Sequence, residues 1–142
     1  MITGGKIVSV EAKRDKEGAV DGMNINIGID DVAVRGDGIT IQYTFGVDYE
    51  DKVGHLKIIG VLYASEDKSK GKEIEDMWKK SKKLPAEFAE VVLNSISYTC
   101  GISGTFVVQP VRLSPPMQLP RVRVEMAPQP EDKKKKPEKG AA

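Results

Sequence analysis

The only histidine and the only cysteine are the side chains of this sequence best suited to acid–base or nucleophilic chemistry. His55 follows Gly54 in a predicted turn, and no partner residues stand at the spacing of a metal site or of a histidine-based triad. We therefore expect a solvated turn histidine. Cys100 stands beside Gly101, with no basic neighbour in sequence to lower the pKa of its thiol. We expect it to be a small buried core residue rather than a nucleophile.

Acidic residues offer the remaining route to catalysis or metal binding. They gather in predicted turns, at Asp30, Asp31, Asp37, Asp48, Glu50 and Asp51. Their spacing lacks the alternating oxygen ligands and closing glutamate of a calcium loop, and Gly36-Asp37-Gly38 lacks the Lys-Ser/Thr of a phosphate loop. A carboxylate site at Asp48 with Glu50 stays open. Otherwise the sequence predicts that the protein is not an enzyme and uses no cofactor or metal.

Length, charge and cysteine content restrict the class of protein. The 142 residues fit one domain that buries roughly two-thirds of its unfolded surface. A formal net charge of +1 gives no attraction to nucleic acid or to an anionic membrane. A single cysteine excludes an internal disulfide framework and suits a reducing compartment. We find no signal-peptide core and no apolar run near the roughly 18 residues of a membrane span, so we expect a cytoplasmic protein without membrane insertion.

Alternation of apolar and polar residues predicts four strands between residues 6 and 66. The third is the clearest, because one face carries Ile39, Ile41, Tyr43, Phe45 and Val47. In the second strand the parity changes after Asp30-Asp31, which predicts a β-bulge. Gly36-Asp37-Gly38 predicts a tight hairpin. The fourth strand, residues 56–64, is apolar on both faces, so we expect a helix or another subunit to cover each face.

Two helices are predicted after the strands. The first, residues 73–82, follows a charged link and carries apolar residues on one side, at Ile74, Met77 and Trp78. Pro85 opens the second, whose apolar stripe comprises Phe88, Val91, Val92, Ser95, Ile96 and Thr99. Gly101 and Gly104 either end this helix near Cys100 or permit close contact between the helix backbone and a neighbour.

The carboxyl-terminal part changes composition twice. Prolines and apolar residues alternate irregularly over residues 107–126, which predicts an extended path along a surface groove. From Ala127 onward the chain is rich in Pro, Lys, Glu and Gly and cannot bury a core. The lysines at 133–136 have acidic neighbours and indicate a solubilising tail rather than a nucleic-acid patch. We therefore expect one domain, residues 1–126, and a disordered charged tail, residues 127–142.

The order of these elements resembles the SecB chaperone family. Four antiparallel strands, a short helix and a long helix lead through Gly104-Thr105-Phe106 to a Ser-Pro-Pro-Met-Gln-Leu-Pro segment that is similar to the family's proline-rich stretch. Val107 and Val108 stand where the family has prolines, and the chain resembles divergent, archaeal-type relatives more than the bacterial export chaperone. The similarity spans residues 6–124. It implies an α+β fold in which a four-stranded antiparallel sheet is followed by two helices and an extended proline-rich carboxyl-terminal segment.

The resemblance also implies a function and an assembly. SecB-like proteins are ATP-independent holdases that bind unfolded polypeptide clients, take part in protein export and form homotetramers as dimers of dimers. By position, the implied groove-lining residues here are Tyr43, Phe45, Trp78, Phe106, Met117 and Leu119. Each also fits a core or subunit-interface position, and for Phe45 we favour the core. The basic tail departs from the bacterial family, which leaves an export-motor partner open.

Two other classes of function stay open. A dedicated adaptor for one partner, such as an antitoxin-type chaperone, would use the same surface but serve one strong client. A small-molecule enzyme or ligand carrier would need a closed concave pocket rather than a long open groove. Sparse aromatic residues, 6% of the chain, and the lack of histidine chemistry argue against this last class.

Overall fold

A computed structural model describes residues 1–20 and 22–116. The strands are β1 (Ile2–Arg14), β2 (Met23–Arg35), β3 (Gly38–Tyr49) and β4 (Gly54–Ser65), and the helices are α1 (Lys68–Ser81) and α2 (Ala86–Val108). A single 3-10 turn, Glu50–Lys52, joins β3 to β4. The predicted α+β order of four strands followed by two helices is confirmed. The predicted tail, residues 127–142, lies outside the described residues, as do Met117 and Leu119.

The four strands form one antiparallel sheet in the order β1-β4-β3-β2. Gly36 and Asp37 make the predicted hairpin, since Arg35 pairs directly with Gly38 and Gly36 has a φ of +64°. The predicted bulge in β2 is also present, as a register shift between Ile29 and Asp31. Both features let the apolar residues of β2 keep facing the same side as those of β3.

One face of this sheet carries the core. The alternate residues of β3 from Ile39 to Tyr49 are all buried, and they lie opposite buried residues of β4 such as Leu56 and Ile58. Buried residues recur at four-residue spacing along α2, at Phe88, Val92, Ile96, Cys100, Gly104 and Val108. Helix α2 packs over β1, β4 and β3, whereas α1 packs on β2. The outward residues of β4 are only half-buried, so the cover predicted for that face from another subunit stays a prediction.

Helix α1 begins at Lys68, five residues before the predicted start at residue 73, and its N-cap explains the difference. The side chain of Asp67 accepts a hydrogen bond from the backbone N–H of Lys70 at 2.8 Å. An aspartate at this position satisfies one of the free N–H groups of the first turn and stabilises the helix start. The lysine-rich stretch that we interpreted as a link is therefore the first turn of α1.

Helix α2 continues through both glycines to Val108, so the early end near Cys100 is wrong and the close-contact alternative is confirmed. A Cβ atom on Gly104 would stand 2.8 Å from a methyl carbon of Leu56 and 2.9 Å from the ring of Pro116. The absence of a side chain at this position is what allows the helix to lie directly on β4 and on the chain that follows it. Packing against these neighbours outweighs the weak helix propensity of glycine.

The length and composition of α2 correct one expectation from sequence. Within the described part of the chain, α2 is long and apolar enough to cross a membrane by those two criteria. Its buried stripe nevertheless packs on the sheet. A core helix of a soluble protein passes the same test, so length and composition alone do not separate the two cases.

After α2 the chain turns and packs against one end of the sheet. Leu113 is 5% exposed and lies close to Gly54, while the Arg14 guanidinium donates to the carbonyl oxygens of Val111 and Arg112. The hydroxyl of Tyr49 donates to the Ser114 carbonyl. The start of the proline-rich segment is thus tied to the sheet end by both apolar and polar contacts.

Burial of Tyr49 predicts a loss of stability at alkaline pH. Desolvation raises the pKa of Tyr49 to about 12 from an ordinary value of 10.0. The folded state therefore holds this proton more tightly than the unfolded state. The stabilisation is complete below pH 10 and is lost as pH rises toward 12, by at most about 1.4 kcal/mol per pH unit. Denaturant unfolding between pH 9 and 12 measures the slope, and Tyr49→Phe should make it shallower; equal slopes would contradict the prediction.

Candidate functional site

The predicted groove residues fall into three groups. Tyr43, Phe45 and Trp78 are buried within the single chain, whereas Phe106 is 68% exposed. Phe45 belongs to the core cluster, as we favoured. The Lys82 ammonium stands 5.3 Å from the centre of the Trp78 ring, in cation–π range. Of the described candidates, Phe106 alone offers a large apolar surface to a partner; Met117 and Leu119 lie outside the described residues.

Tyr43 is buried together with the cysteine. The Cys100 thiol donates toward the Tyr43 hydroxyl oxygen at 3.8 Å, and Tyr43 lies opposite Gly60 of β4. Burial is the main cause that raises the pKa of Tyr43, and the neighbouring thiol raises it further. Burial also raises the pKa of the Cys100 thiol, and the hydrogen bond to Tyr43 opposes that rise only in part. The expected burial of Cys100 in the core is confirmed, and that it is not a nucleophile stays a prediction.

The outward face of α2 carries several apolar side chains in solvent. Tyr98 is 70% exposed, and Val91, Leu93 and Phe106 are exposed as well. The sequence interpretation placed Val91 on the buried stripe and overlooked Tyr98 and Leu93. The sequence did carry a signal for Tyr98. It is an aromatic residue that lies outside the predicted stripe of Ser95, Ile96 and Thr99. Exposed aromatic residues of this kind are typical of interaction surfaces.

A groove of about 410 Å³ separates the start of α2 from α1. Phe88, Val91 and Ile74 supply its apolar lining, and Glu66, Lys70 and Glu73 supply polar groups. Val91 belongs both to this groove and to the exposed face of α2. The two surfaces therefore adjoin at the amino-terminal half of α2.

A second cleft, of about 460 Å³, follows the β1 edge of the sheet. Ile2, Ile7 and Tyr43 contribute apolar surface, and Ser95 and Thr99 of α2 contribute hydroxyl groups. Tyr43 is therefore reached from this cleft even though most of its surface is covered. Its predicted role in binding polypeptide stays a prediction.

His55 lies on a strand rather than in a solvated turn, which corrects the expectation from sequence. Its Nε2 atom is 2.9 Å from a Glu11 carboxylate oxygen on β1, and its Nδ1 atom is 3.9 Å from one of Asp15. The bond from His55 lowers the pKa of Glu11. Asp48 lines the same shallow depression on the outer sheet face, and Glu50 is exposed in the turn that follows. Among the described residues, no cluster of three or more His, Cys, Asp or Glu side chains could hold a metal ion.

Comparison with known proteins finds similarity in structure but not in sequence. No family model and no curated protein matches the chain. A SecB-like chaperone of Mycobacterium tuberculosis, solved in complex with a ChAD peptide from the HigA1 antitoxin, matches with a TM-score of 0.53 at 10% sequence identity. The match covers 81% of this chain and 85% of that chain. The predicted closeness to archaeal-type relatives stays a prediction, and at this identity the likeness concerns architecture: the chain has a SecB-like fold.

Proposed function

We propose that this protein is an ATP-independent holdase that binds non-native polypeptide segments of other proteins. The observation that carries the proposal is the exposed apolar face of α2, with Val91, Leu93, Tyr98 and Phe106 in solvent. Val91, Tyr98 and Phe106 lie within about 80° of one another around the helix axis, and an exposed apolar patch of this kind marks an interaction surface. Aromatic side chains add a large contact area at a small cost in conformational entropy, which suits the binding of varied sequences.

The groove between the two helices supports the same proposal. Its apolar lining suits the side chains of an extended segment, and Glu66, Lys70 and Glu73 add charged groups that suit the polar groups of such a segment. The likeness of the fold to a chaperone solved with a peptide of another protein adds support. No chemical step is part of the proposal.

A second candidate is a dedicated adaptor that serves one partner, as an antitoxin-type chaperone does. The specific observation that favours it is that the similar structure holds a peptide from an antitoxin. The two candidates differ in breadth rather than in surface. A panel of unrelated unfolded clients separates them, because a holdase suppresses the aggregation of most of them and an adaptor of none.

Assembly and location belong to the proposal as well. We propose a cytoplasmic homo-oligomer, a tetramer by analogy of fold, in which part of the α2 face is covered by another subunit. The free, buried thiol of Cys100 suits a reducing compartment. A role in protein export is the family expectation and needs a separate test with an export substrate.

Light scattering from a denaturant-unfolded client, with and without this protein and without nucleotide, tests the proposal. We expect suppression at near-stoichiometric amounts. Replacing Tyr98 and Phe106 together by alanine should raise the concentration needed for half-suppression more than tenfold, because aromatic hot spots each contribute about 2 kcal/mol or more. Val8→Ala, which shortens an exposed apolar side chain on β1, is the matched control.

The native mass of each variant decides how the result is read. An unchanged mass with weaker suppression assigns Tyr98 and Phe106 to client binding. A lower mass assigns them to a subunit interface instead. If the wild-type protein leaves the aggregation of every client unchanged, the holdase proposal is wrong.

A further inference from the structure

Strand β2 is an edge of the sheet that the two helices leave incompletely covered. Its order in the sheet gives it β3 as a partner on one side and no strand on the other among the described residues. Helix α1 packs on β2 at its far end, where Gly71 lies against Val34. At the opposite end Ile25 is 41% exposed, although it pairs with Val47 of the core. An open edge beside an uncovered apolar side chain is a template for pairing with an extended segment.

The described chain ends beside the same end of the sheet. Tyr49, whose hydroxyl holds the Ser114 carbonyl, pairs with Met23, the first residue of β2. Two residues later Pro116 is buried near Gly104 of α2. The described chain therefore ends close to the end of the sheet where β2 begins.

The sequence beyond this point has the pattern of a strand. Apolar Val122, Val124 and Met126 alternate with charged Arg121, Arg123 and Glu125. Residues 117–126 span up to about 33 Å when extended, whereas the stretch of β2 from Met23 to Ile29 is about 20 Å long. The segment is thus long enough to reach β2 and to follow it.

We propose that residues 121–126 add to the free edge of β2 in the same molecule, parallel to it, and place Val122 and Val124 over Ile25. The pairing satisfies edge N–H and C=O groups of β2 and covers apolar surface that an unfolded client would otherwise contact. The tail acts as an internal competitor. This competition rests on the proposed holdase function, whereas the pairing itself does not.

Hydrogen exchange of the β2 amides in the full-length protein tests the pairing. Replacing Val122 and Val124 together by aspartate removes the apolar contacts; Ala141→Asp with Ala142→Asp adds the same charge beyond the docking segment. We expect alternate amides between Asn24 and Asp31 to exchange about tenfold faster in the first variant and at the wild-type rate in the second. Equal exchange in both variants would overturn the proposal. Exchange rates that depend on protein concentration would overturn pairing within one molecule.

Client affinity tests the competition separately. A fluorescent unfolded client should bind the Val122→Asp, Val124→Asp protein more tightly than it binds wild type. It should bind the Ala141→Asp, Ala142→Asp control as tightly as wild type. Faster exchange with unchanged affinity would overturn the competition. If no variant binds any client, the holdase proposal fails, and the exchange result still decides the pairing.

Discussion

Replacing Phe45 by alanine is expected to lower the free energy of unfolding by about 3–5 kcal/mol. Phe45 is 1% exposed and lies between Ile27 of β2 and Ile58 of β4 in the middle of the sheet. Truncation there removes most of a large buried side chain and leaves a cavity, because the paired strands on both sides hold the backbone in place. Denaturant unfolding followed by far-ultraviolet circular dichroism measures the change.

The matched control for this prediction is Phe106→Ala. The same atoms are removed from a side chain that is 68% exposed, so the free energy of unfolding should change by no more than about 0.5 kcal/mol. Measurement at several protein concentrations separates any contribution from subunit contacts. A small effect at Phe45 would place this residue outside the core and return it to the groove.

Gly60→Ala is expected to destabilise the fold by up to about 3 kcal/mol. A Cβ atom at this position would stand 2.6 Å from the ring carbon of Tyr43 that bears the hydroxyl and 2.9 Å from the Lys6 carbonyl oxygen. The carbonyl belongs to the β1–β4 ladder and cannot withdraw without breaking it. Tyr43 is itself buried beneath α2, so its ring has little room to move.

Gly46→Ala is the control, and we expect the opposite sign. The atom nearest to its new Cβ would be the Asn26 carbonyl oxygen at 4.0 Å, so nothing has to move. Alanine in a strand interior is then favoured over glycine by about 0.5–1 kcal/mol. Equal midpoints of unfolding for the two alanine variants would show that the Tyr43 ring does not lie over Gly60.

The sheet was predictable because its local signals agree with its tertiary role. The alternation in β3, the glycine hairpin before it and the parity change at Asp30-Asp31 each have one physical meaning in a sheet with a single buried face. The beginning of β1 was not predictable, because Thr3, Gly4 and Gly5 carry no apolar alternation. Pairing with β4 imposes the strand there.

The candidate site was predictable only in part, because a groove and a core both require apolar residues. Sequence pattern assigns Trp78 and Phe106 to apolar positions alike, yet the first is buried and the second is in solvent. Trp78 is on α1, which packs on β2, whereas the position of α2 on the sheet leaves Phe106 in solvent. Gly104 allows that position through its contact with Leu56. The glycine indicated a close contact, but the local sequence does not identify Leu56 as the partner.

The four-residue spacing of the buried side chains on α2 has a geometric result for binding. Each step of four residues advances about 40° around a helix with 3.6 residues per turn, so the five steps from Phe88 to Val108 turn the buried stripe by about 200°. The solvent-facing stripe winds by the same amount. Val91 and Phe106 are fifteen residues apart and point about 60° apart around the helix axis, whereas Val91 and Leu93 are two residues apart and point about 160° apart. Tyr98 lies within about 80° of both Val91 and Phe106, so these three residues make one recognition surface on α2, and Leu93 belongs to another side of the helix.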